Sequence, residues 1–151
     1  MGTRYYEYGR YDTAQLGVAR RQAVADVKLG KAGHPTKKSL EQTLAEISTK
    51  AGQKGRIAGA YIELSPGAFL KMDERAAARM RVNRDPKREP YSLVSNSCLH
   101  FMKQVAEAGG ARMPPTIAPH PAGYVRMLQM IQPDVTFATT RRVVVEDIEL
   151  E

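Results

Sequence analysis

Hydrophobic and polar positions along this chain switch between a period of two and a helical period, and the switches mark out its elements. In VARRQAVADVKL (Val18 to Leu29) alternation places Ala23, Ala25, Val27 and Leu29 on one face, which predicts a half-buried strand. Gly30 and Gly33-His34-Pro35 end it. A helical stripe follows from about Ser39: Leu40, Leu44, Ile47 and Ala51, with Thr36 or Ser39 as the cap and Gly52 as the stop. RIAGAYIELS alternates again, Ala58, Ala60, Ile62 and Leu64 facing one way and Tyr61 and Glu63 the other. Ser65-Pro66 then reads as a cap with proline at the first helical position. Phe69, Met72, Ala76 and Met80 extend that helix to about Arg81, the methionines filling gaps in the core.

A third helix is predicted after Tyr91, with Leu99, Met102, Val105 and Ala106 on one face, Lys103 and Glu107 on the other, and Gly109-Gly110 as the stop. MPPTIAPHPAGY is a rigid connector, GYVRMLQMI a short helix, and TRRVVVEDIEL a strand in which Val143 and Val145 oppose Val144 and Ile148. Strands and helices intermix without a regular β-α-β beat. That order predicts an α+β fold, an antiparallel sheet packed against helices. With 151 residues, 42% of them hydrophobic, the chain is long enough for one domain spanning 1–151 and short for two.

Cys98 is the one cysteine, and it falls where the extended run YSLVSNS turns into the third helix. Asn96 or Ser97 can cap that helix. A thiol in the first turn meets the positive end of the helix dipole and unpaired backbone N–H groups, which favour the thiolate and could hold an oxyanion. The competing role is a small buried hydrophobe.

The string YSLVSNSCLHF, followed by a helix ending in Ala-Gly-Gly, resembles the Asn-x-Cys or Asn-Cys element of circularly permuted papain-like hydrolases. That group includes lecithin–retinol acyltransferase relatives and bacterial cell-wall amidases. The opening YYEYGRYD (Tyr5 to Asp12) is similar to the strand that carries the histidine-orienting residue in antibacterial effectors of this type, including some delivered by type VI secretion. The resemblance implies Cys98 as nucleophile and Glu7 in the orienting position. It also implies a catalytic histidine on a strand before Tyr5, where this chain has only Met1 to Arg4. Three alternatives follow: a longer parent protein that supplies a missing N-terminal strand, another histidine in its place, or an inactive chain.

Within the chain the candidates are His34, His100 and His120. On a helix His100 points about 200° away from Cys98, which suits packing or surface exposure. His34, in GKAGHPTKK, reads as an exposed loop residue. His120, in the Pro-rich APHPAG, sits where a rigid loop could present its imidazole, and is the best placed of the three. The implied chemistry is attack by the Cys98 thiolate on an amide or ester carbonyl, with a histidine oriented by Glu7 moving the proton.

Charge bounds the partners. Lys+Arg 23 against Asp+Glu 16 gives +7; without the tail acids Glu146, Asp147, Glu149 and Glu151 the balance is 23 against 12, or +11. Basic residues gather in Lys28 to Lys38, in Arg75 to Arg88 and at Arg141-Arg142, so an anionic surface is attractive. Lys71, Arg75 and Arg79 form a positive helical stripe, but without interleaved aromatics a dedicated nucleic-acid binder is disfavoured. One cysteine excludes an intrachain disulfide, the histidines lack metal-ligand spacing, and no cofactor is implied. No apolar stretch reaches the roughly 20 residues of a membrane span, and the N-terminus lacks the apolar core of a secretory signal. The expected function is a thiol hydrolase cutting an amide in peptidoglycan peptides, as a bacterial effector held in the cytoplasm before delivery or as a cell-wall enzyme. An immunity protein or a secretion component would be its partner. The alternative is a non-catalytic basic module that binds an anionic surface or a protein.

Overall fold

The computed structural model describes residues 2–11, 16–51, 54–117 and 120–151. Asp12, the proposed helix stop Gly52, and Ala118-Pro119 of the Pro-rich connector lie outside them. The elements are β1 (Tyr5–Gly9), β2 (Val18–Gln22), α1 (Lys37–Lys50), β3 (Ile57–Ala60), α2 (Ala68–Val82), α3 (Cys98–Ala108), α4 (Pro121–Gln129), β4 (Asp134–Phe137) and β5 (Val143–Val145). The fold is α+β, with β1 and β2 in one sheet and an antiparallel sheet in the order β3-β4-β5. The described residues form two compact units, one of Met1–Tyr5, Ala23–Ile62 and Leu128–Glu151, the other of Tyr6–Gln22 and Glu63–Met127.

In the first unit β4 is central, with Ile57 opposite Phe137 on one side and Phe137 opposite Val143 on the other. Phe137, Val143 and Val145 are buried while Val144 points to solvent, as the alternation in TRRVVVEDIEL predicts. Helix α1 is capped by Thr36, whose side-chain oxygen accepts the Ser39 N–H at 3.3 Å. Its deepest residues are Ser39, Thr43 and Ser48, whereas Leu40, Leu44 and Ile47 are half-buried. These hydroxyls are buried because each has a backbone partner: Ser39 bonds Lys28 O, Thr43 bonds Ala25 O at 2.8 Å, and Ser48 bonds Gly55 O at 2.6 Å.

The same contacts account for a corrected expectation. The strand expected over Val18 to Leu29 ends at Gln22, and Leu29 is exposed. Beyond Gln22 side chains take the place of a strand partner, since Ala25, Val27 and Lys28 donate their N–H groups to Glu46, Thr3 and Ser39. His34 is half-buried, not an exposed loop residue. Its N–H reaches the Glu151 carboxylate at 3.2 Å, and its carbonyl accepts the Gly30 N–H at 2.8 Å.

The second unit has Tyr8, Ala19, Ala76 and Phe101 at its core, with Tyr6, Met80, Tyr91 and Val105 against them. Tyr8 comes from β1, Ala19 from β2, Ala76 from α2 and Phe101 from α3, so one aromatic ring ties four elements together. It stacks on Tyr91 at 5.9 Å and on Phe101 at 5.6 Å. Asn83, just after α2, receives the Ala19 N–H at 3.0 Å and donates to Ala19 O at 2.6 Å, which fastens the end of α2 to the β2 backbone. Gly17 meets the Tyr8 phenol so closely that an added Cβ would lie 1.9 Å from its hydroxyl. Gly17→Ala is therefore expected to destabilise by about 2 kcal/mol through overpacking, read as a lower urea midpoint with an unchanged slope.

Candidate active site

Helix α3 begins at Cys98 because the residues before it cannot continue as helix. Ser97 is the N-cap, extended at φ −115° and ψ −176°, and is fully buried. His100 completes the cap, its Nδ1 accepting the Ser97 N–H at 3.0 Å and lying 2.9 Å from Ser97 Oγ. This is the reciprocal cap usually made by glutamate or glutamine at the third helical position. His100 is thus neither a surface nor a packing residue, and its Nδ1 is committed to the first turn of α3. At the far end Gly109 caps the helix and Gly110, at φ +90°, turns the chain away. Lys103 and Glu107 pair at 3.8 Å as their spacing predicts.

Asn96 does not cap the helix. It is 3% exposed, and its side-chain amide donates to Tyr8 Oη at 2.9 Å and to the carbonyls of Glu89 and Pro90, both at 3.1 Å. Its backbone exchanges two 2.9 Å hydrogen bonds with Ser92, closing the loop that precedes the cysteine. The tip of that loop, Leu93 and Val94, is exposed.

Two tyrosines attend the thiol, which is half-buried and free. Burial first, and then the charge of Cys98, raise the pKa of Tyr91, whose hydroxyl is also within hydrogen-bonding reach of the Cys98 backbone and side chain. Tyr11 is pushed up to about 12, first by burial, then by the charge of Glu7, with Arg20 opposing and with a hydrogen bond to Glu7 and the charge of Cys98 adding. Of these groups Glu7 is the one that hydrogen-bonds the phenol. Glu7 also holds Arg20 through Nε and Gln22 through Nε2, the latter at 2.8 Å. The Arg20 guanidinium lies 3.6 Å from the Tyr11 ring centre.

The raised Tyr11 pKa has a stability consequence whose sign is fixed. A group protonated more strongly in the folded state contributes stability that is fully present below its ordinary value near 10 and is lost as pH rises through about 12. Tyr11→Phe should remove the latest tyrosine from a spectrophotometric titration and weaken the fall in stability above pH ~10. A titration identical to that of the unsubstituted protein would contradict the placement of Tyr11 beside Glu7.

Of the three residues expected at the site, Glu7 bonds Arg20, Gln22 and Tyr11, and Cys98 opens α3 beside Tyr91. His120 stands exposed just before α4, where its carbonyl accepts the Tyr124 N–H at 3.0 Å. No described hydrogen bond joins its imidazole to Cys98 or Glu7. Among the described residues no group of three or more His, Cys, Asp or Glu side chains could hold a metal ion. Sequence reading passed over Tyr11, Arg20 and Gln22, though Tyr11 lies inside the quoted YYEYGRYD. It also read Arg79 only as part of a positive helical stripe, whereas the guanidinium bonds Gln104 Oε1 at 2.6 Å and Asn96 Oδ1 at 3.1 Å.

A family model described as type VI secretion system effector TseH-like matches residues 2–112, a span that takes in β1, Glu7, Cys98 and the whole of α3. The chain belongs to the TseH-like family of type VI secretion effectors. A solved structure titled as that of the type VI secretion system effector TseH is similar to it, with 32% identity and a TM-score of 0.82 over 97% of this chain and 82% of that one. A search of curated proteins returned no match. Family membership supports a bacterial effector role and fits delivery into target cells. Among the described residues no helix is long and apolar enough to cross a membrane.

Proposed function

We propose that this TseH-like chain is a thiol hydrolase of circularly permuted papain-like design, which cleaves an amide bond in peptidoglycan peptides after delivery to the target-cell periplasm. The observation that carries this reading is Cys98 at the first position of α3, directly after the buried Ser97 cap, in a chain of the TseH-like effector family. Cys98 Sγ attacks the carbonyl carbon, and backbone N–H groups in the first turn of α3 hold the oxyanion. Cleavage of the C–N bond leaves a thioester, with His120 as the acid that protonates the leaving amine and then as the base that draws a proton from the attacking water. Glu7 holds the site's polar side through Arg20, Gln22 and Tyr11. The chemistry calls on no cofactor or metal. An immunity protein that covers the Cys98 face in the producing cell, and a component of the secretion machinery, are the partners this role requires.

The test is digestion of purified peptidoglycan sacculi followed by mass spectrometry of the soluble products. Shortened stem peptides with new amino termini are expected. Intact stems after prolonged incubation with folded protein would sink the reading. In the same assay His120→Ala is expected to lose about 100-fold or more in kcat, the usual contribution of a general acid or base. His100→Ala should instead lower the melting temperature, because it removes the helix cap.

A further inference from the structure

We infer that Arg79 is a positioning residue for Cys98, acting through Asn96; the inference rests on the thiol-hydrolase reading. Arg79 sits on α2, and its two terminal nitrogens divide between α3 and the loop before it: one donates to Gln104 Oε1 at 2.6 Å, the other to Asn96 Oδ1 at 3.1 Å. The guanidinium carbon lies 4.9 Å from the Tyr8 ring centre and 5.8 Å from that of Phe101, so its plane is held by the aromatic core as well as by its hydrogen bonds. This is the fork geometry that arginine has and lysine lacks.

What Arg79 fixes is the orientation of a buried amide. With the guanidinium on Oδ1, Asn96 must aim Nδ2 at Tyr8 Oη and at the carbonyls of Glu89 and Pro90. The flipped amide would set its NH2 against a cation and its oxygen against two carbonyls. Asn96 is two residues before Cys98, and the intervening Ser97 is the buried N-cap. A shift of the Asn96 backbone therefore moves the cap, the N–H groups of the first turn and the thiol together. Displacements of about 1 Å at a reacting group cost on the order of 100-fold in rate. The cationic side chain that the sequence places in a positive helical stripe thus belongs to the support of the nucleophile, while Lys71 and Arg75 on the same helix are exposed.

The experiment compares Arg79→Met, Arg79→Lys and, as a control on the exposed face, Arg75→Ala, in the full chain at a temperature where thermal melts show all to be folded. Two quantities are read: kcat and KM on soluble peptidoglycan peptides, and hydrogen exchange of the Asn96 and Ser97 amides. Arg79→Met is expected to lower kcat about 100-fold with KM within about twofold, and to speed exchange at those two amides about tenfold. Arg79→Lys, which keeps the charge without the fork, should recover only part of either. Arg75→Ala should change neither. If Arg79→Met does not fold, the lysine variant alone decides, and kcat equal to that of the unsubstituted protein overturns the inference. Exchange at Asn96 and Ser97 unchanged in either folded variant overturns it too. Should Cys98→Ala keep full activity, the hydrolase reading fails on its own, and the exchange data still report whether Arg79 holds the turn.

Discussion

Cys98→Ala is expected to abolish cleavage of peptidoglycan peptides, with kcat reduced by about 10⁴-fold or more, while the protein stays folded. The magnitude follows from the role: removing the nucleophile of a covalent hydrolase leaves only oxyanion stabilisation and substrate binding, and losses near 10⁶-fold are known for such sites. The fold should tolerate the change because Cys98 is half-buried and free, and neither the Ser97 cap nor the His100 contact that closes it uses the sulfur. A melting temperature within a few degrees is expected, corresponding to about 1 kcal/mol in a chain of this size. Cys98→Ser is the sharper variant. It keeps the shape and a polar atom but replaces the thiol with a far less acidic and less nucleophilic hydroxyl, so it should be about as inactive as alanine. Near-normal cleavage by either variant would remove Cys98 from the mechanism.

The second large effect is on stability. Tyr8→Ala is expected to cost about 3–5 kcal/mol, the range for truncating a buried aromatic to alanine, and to lower the melting temperature by about 10 °C or more. Tyr8 is 7% exposed, stacks on Tyr91 and Phe101, lies under the Arg79 guanidinium and accepts a hydrogen bond from Asn96. Its loss opens a cavity among β1, β2, α2 and α3 and leaves the Asn96 amide one partner short. Tyr8→Phe separates the two contributions. It keeps the ring and removes only the acceptor, so about 1 kcal/mol is expected. Comparable losses for the two variants would mean that the ring's packing counts for little. Chemical denaturation with matched slopes is the measurement.

Both effects concern residues that the chain advertises unequally. The α+β class, α2 with its Phe69-Met72-Ala76-Met80 stripe, the span of α3 and the alternation at Val143–Val145 were all legible, because each rests on local periodicity that tertiary packing had no reason to override. The segment after Gln22 was not, since its alternation is real but its N–H groups are taken by Glu46, Thr3 and Ser39, which lie far away in the chain. Strand β4 (Asp134–Phe137) escaped notice because DVTF is short and follows a proline; only its pairing with β3 and β5 on either side makes it a strand. For the candidate site, Cys98 and Glu7 were singled out by motifs. Tyr11 and Arg79 were not, because what matters about them is which side chains meet them across the fold, and spacing along one helix or strand does not carry that. His100 shows the limit in the other direction: its angular position on the helix did not reveal that it faces back onto the Ser97 N–H.

The most direct test of the central claim, that Cys98 is an activated nucleophile, is its rate of alkylation by iodoacetamide at pH 6, compared between the folded protein and the same protein in denaturant. The account expects folded Cys98 to react faster than the denatured thiol, since a nucleophile at the first position of α3 is presented to its electrophile beside the N–H groups of the first turn. Protection of the folded thiol at every pH, with normal reaction once unfolded, would make Cys98 a packing residue and contradict the hydrolase.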